Sequence, residues 1–289
     1  MPSPLARDSH VTRPESLIES RYQPLRKLGD GILGDVFLVH DRMMGDTVAL
    51  KQLNSQYQGN PSAVKQLSVE MAALQRILHP SIVRFIEKNA CPWNHFFTME
   101  YLEGAPLSQT DRSYLRALGN SLPISITVLE ALAALHGIGI VHRDVKLGNV
   151  MLSGTQGGTG AKLFDFGTAY VPGEYDSASH GAVGTLEFLP PECQVIMAKA
   201  DPRADLYSWG IAMYEMMAGN MPFYSMNIQE LMDMHRNIVP TPLHLTYPHI
   251  PATVSAIVSR ALEKEPGNRF QSALEMKDAI LQCMGPMGF

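Results

Sequence analysis

Runs of apolar residues divide the chain into a first part with strand periodicity and a remainder with helical periodicity. Residues 36–39, 82–86 and 95–101 are rich in β-branched and aromatic side chains, so each predicts a strand. Residues 63–78 place apolar side chains three and four positions apart, which predicts a helix between the first two strands. The pattern therefore predicts a small sheet with one helix, followed by a helical region.

The helical region shows the same periodicity at residues 122–136, 254–262 and 273–281. Residues 208–218 are apolar almost all round, which is typical of a buried central helix. No apolar stretch reaches the length of about 18 residues that a bilayer requires, so we predict no membrane span in this chain. Residues 1–20 predict a flexible leader, and they lack the long apolar run of a signal peptide.

Composition narrows the classes of partner. The 289 residues carry a net charge of −5 without a run of like charges, which argues against general binding to nucleic acid or to an anionic membrane. Cys91, Cys193 and Cys283 are odd in number and widely spaced. They fit a reducing compartment better than a disulfide framework, which favours a cytoplasmic location.

The strongest chemical signal is His142-Arg143-Asp144-Val145-Lys146-Leu147-Gly148-Asn149, followed by Asp165-Phe166-Gly167. These two segments supply a carboxylate base, a cation, a carboxamide and a second carboxylate. Phosphoryl transfer needs mainly positioning and charge neutralisation from a protein, and this set offers both. The segments therefore predict a site for a nucleoside triphosphate and its metal ion.

Three upstream features fit the same chemistry. The segment Leu28-Gly29-Asp30-Gly31-Ile32-Leu33-Gly34-Asp35-Val36 places three glycines where backbone N–H groups can approach phosphates, and a strand follows it. Val48-Ala49-Leu50-Lys51 ends an apolar strand with a lysine, and Glu70 on the predicted helix could pair with that lysine. Alone, each feature also suits an ordinary hairpin, a solvated strand end or a surface charge.

Together these motifs resemble those of the eukaryotic-like (Hanks-type) serine/threonine protein kinases, closest in style to the bacterial members. Gly184-Thr185 with Pro190-Pro191-Glu192, and the segment from Asp201 to Gly210, extend the resemblance over residues 22–281. It implies an α+β, two-lobed protein kinase fold with ATP in the cleft between the lobes. The small β-rich N-lobe with its αC helix would span about residues 21–101, and the larger, mainly helical C-lobe about residues 102–285.

The resemblance also implies roles for the residues that transfer phosphate. Asp144 would accept the proton of the attacking hydroxyl, and Lys146 would neutralise the γ-phosphate. Thr185 would orient the acceptor hydroxyl. Asn149 and Asp165 would bind Mg²⁺, with Mn²⁺ as an alternative. Glu70 would pair with Lys51 and so hold the lysine against the α- and β-phosphates.

Nucleotide binding is implied for a second set of residues. Val36 would lie above the base and Met99 at the back of the adenine pocket. The backbone C=O of Glu100 and N–H of Leu102 would bond to adenine. The full set predicted to contact ATP is Leu28, Gly29, Gly31, Gly34, Val36, Ala49, Lys51, Met99, Glu100, Leu102, Asn149 and Asp165.

Residues 165–192 correspond to the activation segment of such kinases, and this name is used for them below. Arg143 precedes the predicted base, an arrangement that implies binding of a phosphate on this segment. The candidate acceptors are Thr168, Tyr175, Ser177 and Ser179, although Glu174 and Asp176 already supply negative charge. Asp205 would support the loop of residues 142–149, which is called the catalytic loop below. Arg269 would pair with Glu192.

We therefore expect an ATP-dependent kinase that phosphorylates serine and threonine in proteins and autophosphorylates its activation segment. A transient homodimer is the expected partner state for autophosphorylation. One alternative is a pseudokinase that binds nucleotide as a scaffold without turnover. Another is a small-molecule kinase of the aminoglycoside or choline type, although the activation segment and Pro190-Pro191-Glu192 count against it. The expected location is cytoplasmic, with the cytosolic part of a longer, membrane-anchored protein as the alternative.

Overall fold

The computed structural model describes residues 18–31, 33–89, 94–153, 160–176, 183–195 and 200–287. Most of the predicted leader of residues 1–20 lies outside these ranges. The described residues form two compact units. One contains residues 18–59 and 86–101, and the other contains residues 60–85 and 102–287. The predicted α+β class is confirmed, whereas the predicted domain limits stay a prediction.

The first unit is built on a five-stranded sheet with the strand order β1-β2-β3-β5-β4. The pairings β1–β2, β2–β3 and β3–β5 are antiparallel. Tyr22, Val39, Val48, Leu50 and Phe96 form its hydrophobic core. The strands are β1 (Tyr22–Asp30), β2 (Gly34–Asp41), β3 (Asp46–Leu53), β4 (Phe85–Lys88) and β5 (Phe96–Glu100).

The second unit combines helices with a three-stranded antiparallel sheet of order β6-β7-β8. Its strands are β6 (Gly104–Pro106), β7 (Val150–Ser153) and β8 (Ala161–Leu163). Its helices are α1 (Pro61–Gln75), α2 (Arg112–Arg116), α3 (Leu118–Gly137), α4 (Pro202–Ala218), α5 (Ile228–Asn237), α6 (Leu243–Thr246), α7 (Ala252–Ala261) and α8 (Ala273–Met287).

Helix α4 is the buried centre that its apolar sequence predicts. Leu206, Trp209 and Ile211 are completely buried although they point in different directions around the helix. The helix begins at the N-cap Asp201, whose side chain accepts the backbone N–H of Arg203, and Pro202 occupies the first helical position. Because α4 is fixed on all sides, a side chain on its first turn is a rigid support for neighbouring loops.

Helix α1 and strand β4 are among the predicted elements whose ends differ from those observed. Helix α1 ends at Gln75, so Leu78 lies beyond it and is 82% exposed. His79-Pro80 explains the early end, because a proline disfavours helical backbone in the residue before it. The strand expected at residues 82–86 is instead β4, at Phe85–Lys88, and Ile82 makes only an isolated parallel bridge to Leu163.

Helix α3 is long and apolar enough, by length and composition alone, to cross a membrane. Half of its apolar window is buried inside the protein, and core helices of globular domains pass the same test. It packs against α4 and α8. The helix is therefore weak support for a membrane span, and the expected absence of a span stays a prediction.

Candidate active site

The loop of residues 142–149 is held in shape by Asp205, which lies on the first turn of α4. The Asp205 carboxylate accepts the backbone N–H of His142 at 2.9 Å and that of Arg143 at 2.8 Å. Arg143 has a φ of 66°, in the left-handed region that is unfavourable for a residue with a side chain. The predicted contact of Asp205 with this loop is confirmed, and it stabilises an otherwise unfavourable backbone conformation.

Asp205 is completely buried. Burial raises the pKa of its carboxyl group, but the hydrogen bond with His136, the nearby His136 and His142 rings, and the backbone N–H of His142 outweigh that effect. The net pKa of Asp205 is therefore below its ordinary value. The His136 ring lies on the same carboxylate, with Nε2 at 2.8 Å from Oδ2. Asp205 therefore stays ionised at neutral pH and can accept these hydrogen bonds.

The carboxylate of Asp144 is the centre of a hydrogen-bond network. Thr185 donates to Oδ1 through its backbone N–H at 3.0 Å and through its hydroxyl at 2.6 Å. Lys146 donates to Oδ2 at 2.7 Å, and Asn149 donates to the same oxygen at 2.9 Å. Four side chains predicted to belong to the site, on two separate stretches of chain, are thus brought together.

Thr185 reaches Asp144 because the residue before it is a glycine. Gly184 has a φ of 113°, a conformation that side chains rarely adopt. A Cβ atom at this position would lie 2.5 Å from the carbonyl oxygen of Arg143. The Gly184-Thr185 pair is therefore required for this close approach of the activation segment to the catalytic loop.

Asn149 and Asp165 lie on neighbouring stretches of backbone, because the N–H of Phe164 donates to the carbonyl of Asn149 at 3.0 Å. The Asn149 amide nitrogen donates to the carbonyl and carboxylate of Asp144, so the amide oxygen Oδ1 is the atom that would contact the predicted metal ion. No group of three or more His, Cys, Asp or Glu side chains suited to a metal occurs among the described residues. One carboxylate and one amide oxygen fit Mg²⁺, which commonly completes its shell with water and substrate phosphates.

Predicted nucleotide-binding residues share one face of the five-stranded sheet. Val36 on β2 is paired with Lys51 on β3, and Ala49 is paired with Met99 on β5. Paired residues of an antiparallel sheet point to the same side, and so do residues two apart on one strand. The side chains of Val36, Ala49, Lys51 and Met99 therefore lie on the same face.

The glycine-rich turn joins β1 to β2, and Leu28 and Gly29 belong to the end of β1. A Cβ atom at Gly34 would lie 2.5 Å from the carbonyl oxygen of Gln52, and one at Gly31 would overlap the carbonyl of Gly34. At Gly29, by contrast, no described atom comes within 4 Å of that position. Two of the three glycines are therefore required by the turn itself.

Glu70 belongs to α1 and is only 3% exposed, so it is not a simple surface charge. Lys51 lies on β3 and is partly buried. The pairing of these two residues stays a prediction. The adenine contacts expected of the Glu100 carbonyl, at the end of β5, and of the Leu102 N–H, just after it, also stay predictions.

The middle of the activation segment is held by basic side chains. Arg143 binds Asp176 with both ends of its guanidinium, from Nη1 to Oδ1 at 2.5 Å and from Nη2 to Oδ2 at 3.2 Å. Arg76, the residue after α1, donates to the carbonyl of Pro172 at 2.8 Å and to the carboxylate of Glu174 at 2.7 Å. The segment is therefore attached both to the catalytic loop and to the end of α1.

Two of the four predicted phosphate acceptors fall within the described residues. The Thr168 hydroxyl donates to the carbonyl of His142 at 3.3 Å. The Tyr175 ring lies 5.7 Å from the Lys65 ammonium. Ser177 and Ser179 lie outside the described residues. Phosphorylation of the segment stays a prediction.

The end of the activation segment is anchored by an ion pair. Arg269 is completely buried and donates to the Glu192 carboxylate at 2.6 and 2.7 Å. The same guanidinium donates to the carbonyls of Glu263 at 2.8 Å and Lys264 at 2.9 Å. The predicted pairing of Glu192 with Arg269 is confirmed.

Sequence reasoning missed two residues that support the site, His136 and Arg76. His136 occupies the last turn of α3, and Arg76 follows the last turn of α1. Basic residues are common at helix C-termini, because they interact favourably with the helix dipole. The sequence around His136 and Arg76 therefore gave no sign that these residues contact the site. The nearby motifs could have prompted a search for residues that bind Asp205 and the activation segment.

Comparison with known families gives a match to the model described as "Protein kinase domain" over residues 22–280. Curated relatives include serine/threonine-protein kinase pkn2 of Myxococcus xanthus, which is 35% identical over 275 residues. That alignment covers 92% of this chain and 33% of the relative.

Similar values apply to PknB of Mycobacterium leprae, which is 31% identical, with 94% of this chain and 44% of the relative covered. Serine/threonine-protein kinase Pkn1 of Myxococcus xanthus is 33% identical, with 90% and 38% covered. The chain thus spans between a third and a half of the length of these relatives.

Proposed function

Because the chain belongs to the protein kinase family, we propose that it transfers the γ-phosphate of ATP to serine or threonine hydroxyls of proteins. The observation that carries this proposal is the network in which Lys146, Asn149 and Thr185 all donate to the Asp144 carboxylate. Such a network fixes the position of a carboxylate that can serve as the base for the hydroxyl of a substrate.

In this proposal Asp144 accepts the proton of the attacking hydroxyl, and Thr185 orients that hydroxyl through the same carboxylate. Lys146 bridges Asp144 and Thr185 in the structure, and its ammonium also places positive charge beside the transferred phosphate. Asn149 and Asp165 hold Mg²⁺ or Mn²⁺, which when bound neutralises the phosphate charge.

The sheet face of the first unit supports the binding of ATP. Val36, Ala49 and Met99 offer an apolar surface suited to an adenine ring, and Lys51 lies on the same face. An ammonium beside the apolar patch suits the α- and β-phosphates. We assign the Glu100 carbonyl and the Leu102 N–H to the polar edge of adenine.

The proposed acceptors are serine and threonine. The relatives are named as serine/threonine-protein kinases, and this chain has the lysine and threonine, Lys146 and Thr185, that the resemblance associates with such acceptors. Protein substrates are the proposed partners, with a transient homodimer for autophosphorylation. The proposed location is cytoplasmic, or on the cytosolic side of a longer membrane-anchored protein.

The test is transfer of radiolabelled γ-phosphate, with Mg²⁺, to a generic basic protein by wild type and by Asp144→Asn. Removing the base is expected to lower the rate by a factor on the order of 10² or more. Asp278→Asn is the matched control, because it makes the same change at an exposed position on α8, and it should keep the wild-type rate.

Folding of each variant is checked by circular dichroism, and ATP binding by thermal shift. A near-wild-type rate in Asp144→Asn would contradict the role of the base. ATP binding by wild type without any transfer would identify a nucleotide-binding pseudokinase. Labelling of an amino alcohol in place of the protein would identify a small-molecule kinase.

A further inference from the structure

The contact between Arg143 and Asp176 differs from the other ion pair in the middle of the activation segment. The Arg143 side chain is 6% exposed and that of Asp176 is 33% exposed. The pair formed by Arg76 and Glu174 is more exposed, at 41% and 35%. A nearly buried guanidinium needs an anionic partner far more than an exposed one does.

The position of Arg143 makes its partner important for the proposed catalysis. Arg143 directly precedes Asp144, and its backbone N–H is held by Asp205 at 2.8 Å. The guanidinium also lies 5.3 Å from the ring of Tyr170 in the activation segment. Whatever anion binds Arg143 therefore fixes the activation segment next to the catalytic loop.

Tyr170 and Asp176 attach the segment at two points. The backbone of Tyr170 exchanges hydrogen bonds with that of Val141, at 3.1 and 2.8 Å. Six residues later, Asp176 closes onto Arg143 through two parallel bonds. A carboxylate can form this paired arrangement with a guanidinium, as a phosphate can.

We propose that Asp176 takes the place of a phosphate group on Arg143, so that residues 165–176 of the activation segment are held beside the catalytic loop without prior phosphorylation. The inference rests on the proposed function, and it makes Asp176 a positioning residue for phosphoryl transfer. Asp176 carries its charge from synthesis, whereas a phosphate must be added by a kinase. Phosphate at Thr168, Tyr175, Ser177 or Ser179 is then not needed for activity.

The test begins with enzyme treated with a phosphatase, which is then removed, and shown by intact mass to carry no phosphate. Initial rates of peptide phosphorylation are measured over a range of ATP concentrations. We expect the unphosphorylated wild type to be active from the first turnover, without a lag. Asp176→Asn should lower kcat by roughly tenfold or more, the effect of losing a charge-assisted hydrogen bond, while the KM for ATP changes little.

Asp233→Asn is the matched control, since it makes the same change at an exposed ion pair with Arg236, on α5 and outside the activation segment. It should change kcat by less than about twofold. Asp176→Glu keeps the charge and should retain more activity than Asp176→Asn. Limited proteolysis supplies a readout that needs no turnover, and the segment should be cut faster in Asp176→Asn than in wild type or Asp233→Asn.

Two results would overturn the inference. One is a phosphatase-treated wild type that stays inactive until it has labelled its own activation segment. The other is Asp176→Asn with the rate and the protease resistance of wild type. Failure of the proposed function would give a different result, because wild type would then transfer no phosphate under any condition. Proteolysis would still report whether Asp176 holds the segment in place.

Discussion

At the scale of single residues, the Thr185 hydroxyl accepts from the Lys146 ammonium and donates to the Asp144 carboxylate. Thr185→Ala removes both bonds but keeps the backbone N–H that also reaches Asp144. We expect kcat for peptide phosphorylation to fall roughly tenfold, the kinetic equivalent of one hydrogen bond. Thr185→Ser keeps the hydroxyl and should retain most activity. Equal rates for the alanine variant and wild type would exclude this role.

The residues of the catalytic loop could be predicted because their chemistry is encoded within a few positions of sequence. Asp144, Lys146 and Asn149 lie on one short loop, so their spacing alone brings them together. The contact of Asp176 with Arg143 could not be predicted, because the two residues are 33 positions apart and Asp176 belongs to residues 164–176, which form neither helix nor strand. Spacing within the sequence carries no information on where such a segment folds back.

At the scale of secondary-structure elements, α5 is attached to α4 through a buried histidine. The His235 ring lies 2.9 Å from the Tyr207 hydroxyl and packs against Phe223. Burial, together with the nearby Lys264 ammonium, lowers the pKa of His235 from 6.5 to about 4. The histidine is therefore neutral in the folded protein at pH values where it is protonated in the unfolded chain.

The lowered pKa gives a prediction for acid stability. Between pH 6.5 and about 4 the unfolded chain binds a proton at His235 that the folded protein does not. The free energy of unfolding should therefore decrease as the pH falls through this window, by up to about 1.4 kcal/mol per pH unit from this residue. Urea unfolding at several pH values should show a smaller decrease for His235→Phe. The same pH dependence in both proteins would contradict the assignment.

A helix was predictable from sequence where its apolar pattern continued over several turns, as in α4. The first and last residues of each element were harder to predict, because they depend on local residues such as prolines. The proline at position 80 ends α1 before Leu78, although the apolar spacing continues. Helix α3 begins at Leu118, four residues before the start that the pattern at residues 122–136 predicts, and it contains Pro123.

At the scale of the whole molecule, the ion pair of Arg269 with Glu192 joins the activation segment to the chain between α7 and α8. Removing a buried partner leaves an uncompensated charge. We therefore expect Arg269→Met to lower the free energy of unfolding by about 3–5 kcal/mol. Arg236→Met is the matched control at an exposed pair with Asp233, and it should cost less than about 1 kcal/mol. Urea denaturation measures both, and equal effects would show that the pair does not stabilise the fold.

The α+β class of the whole chain was predictable from the change of strand periodicity to helical periodicity along the sequence. The pairing of Glu192 with Arg269 was predictable only through the family resemblance, because the two residues are 77 positions apart. Physical reasoning from sequence alone gives the class of fold, whereas long-range contacts need a structure or a relative.

The brace on the catalytic loop also sets an order of events during protein synthesis. Asp205 is made 63 residues after His142 and 62 residues after Arg143. At about 5–20 residues per second, the ribosome takes roughly 3 to 12 seconds to add that stretch. During this interval the nascent loop lacks the carboxylate that stabilises the left-handed backbone of Arg143. A nascent chain that has not yet produced α4 therefore contains the whole catalytic motif without its working shape.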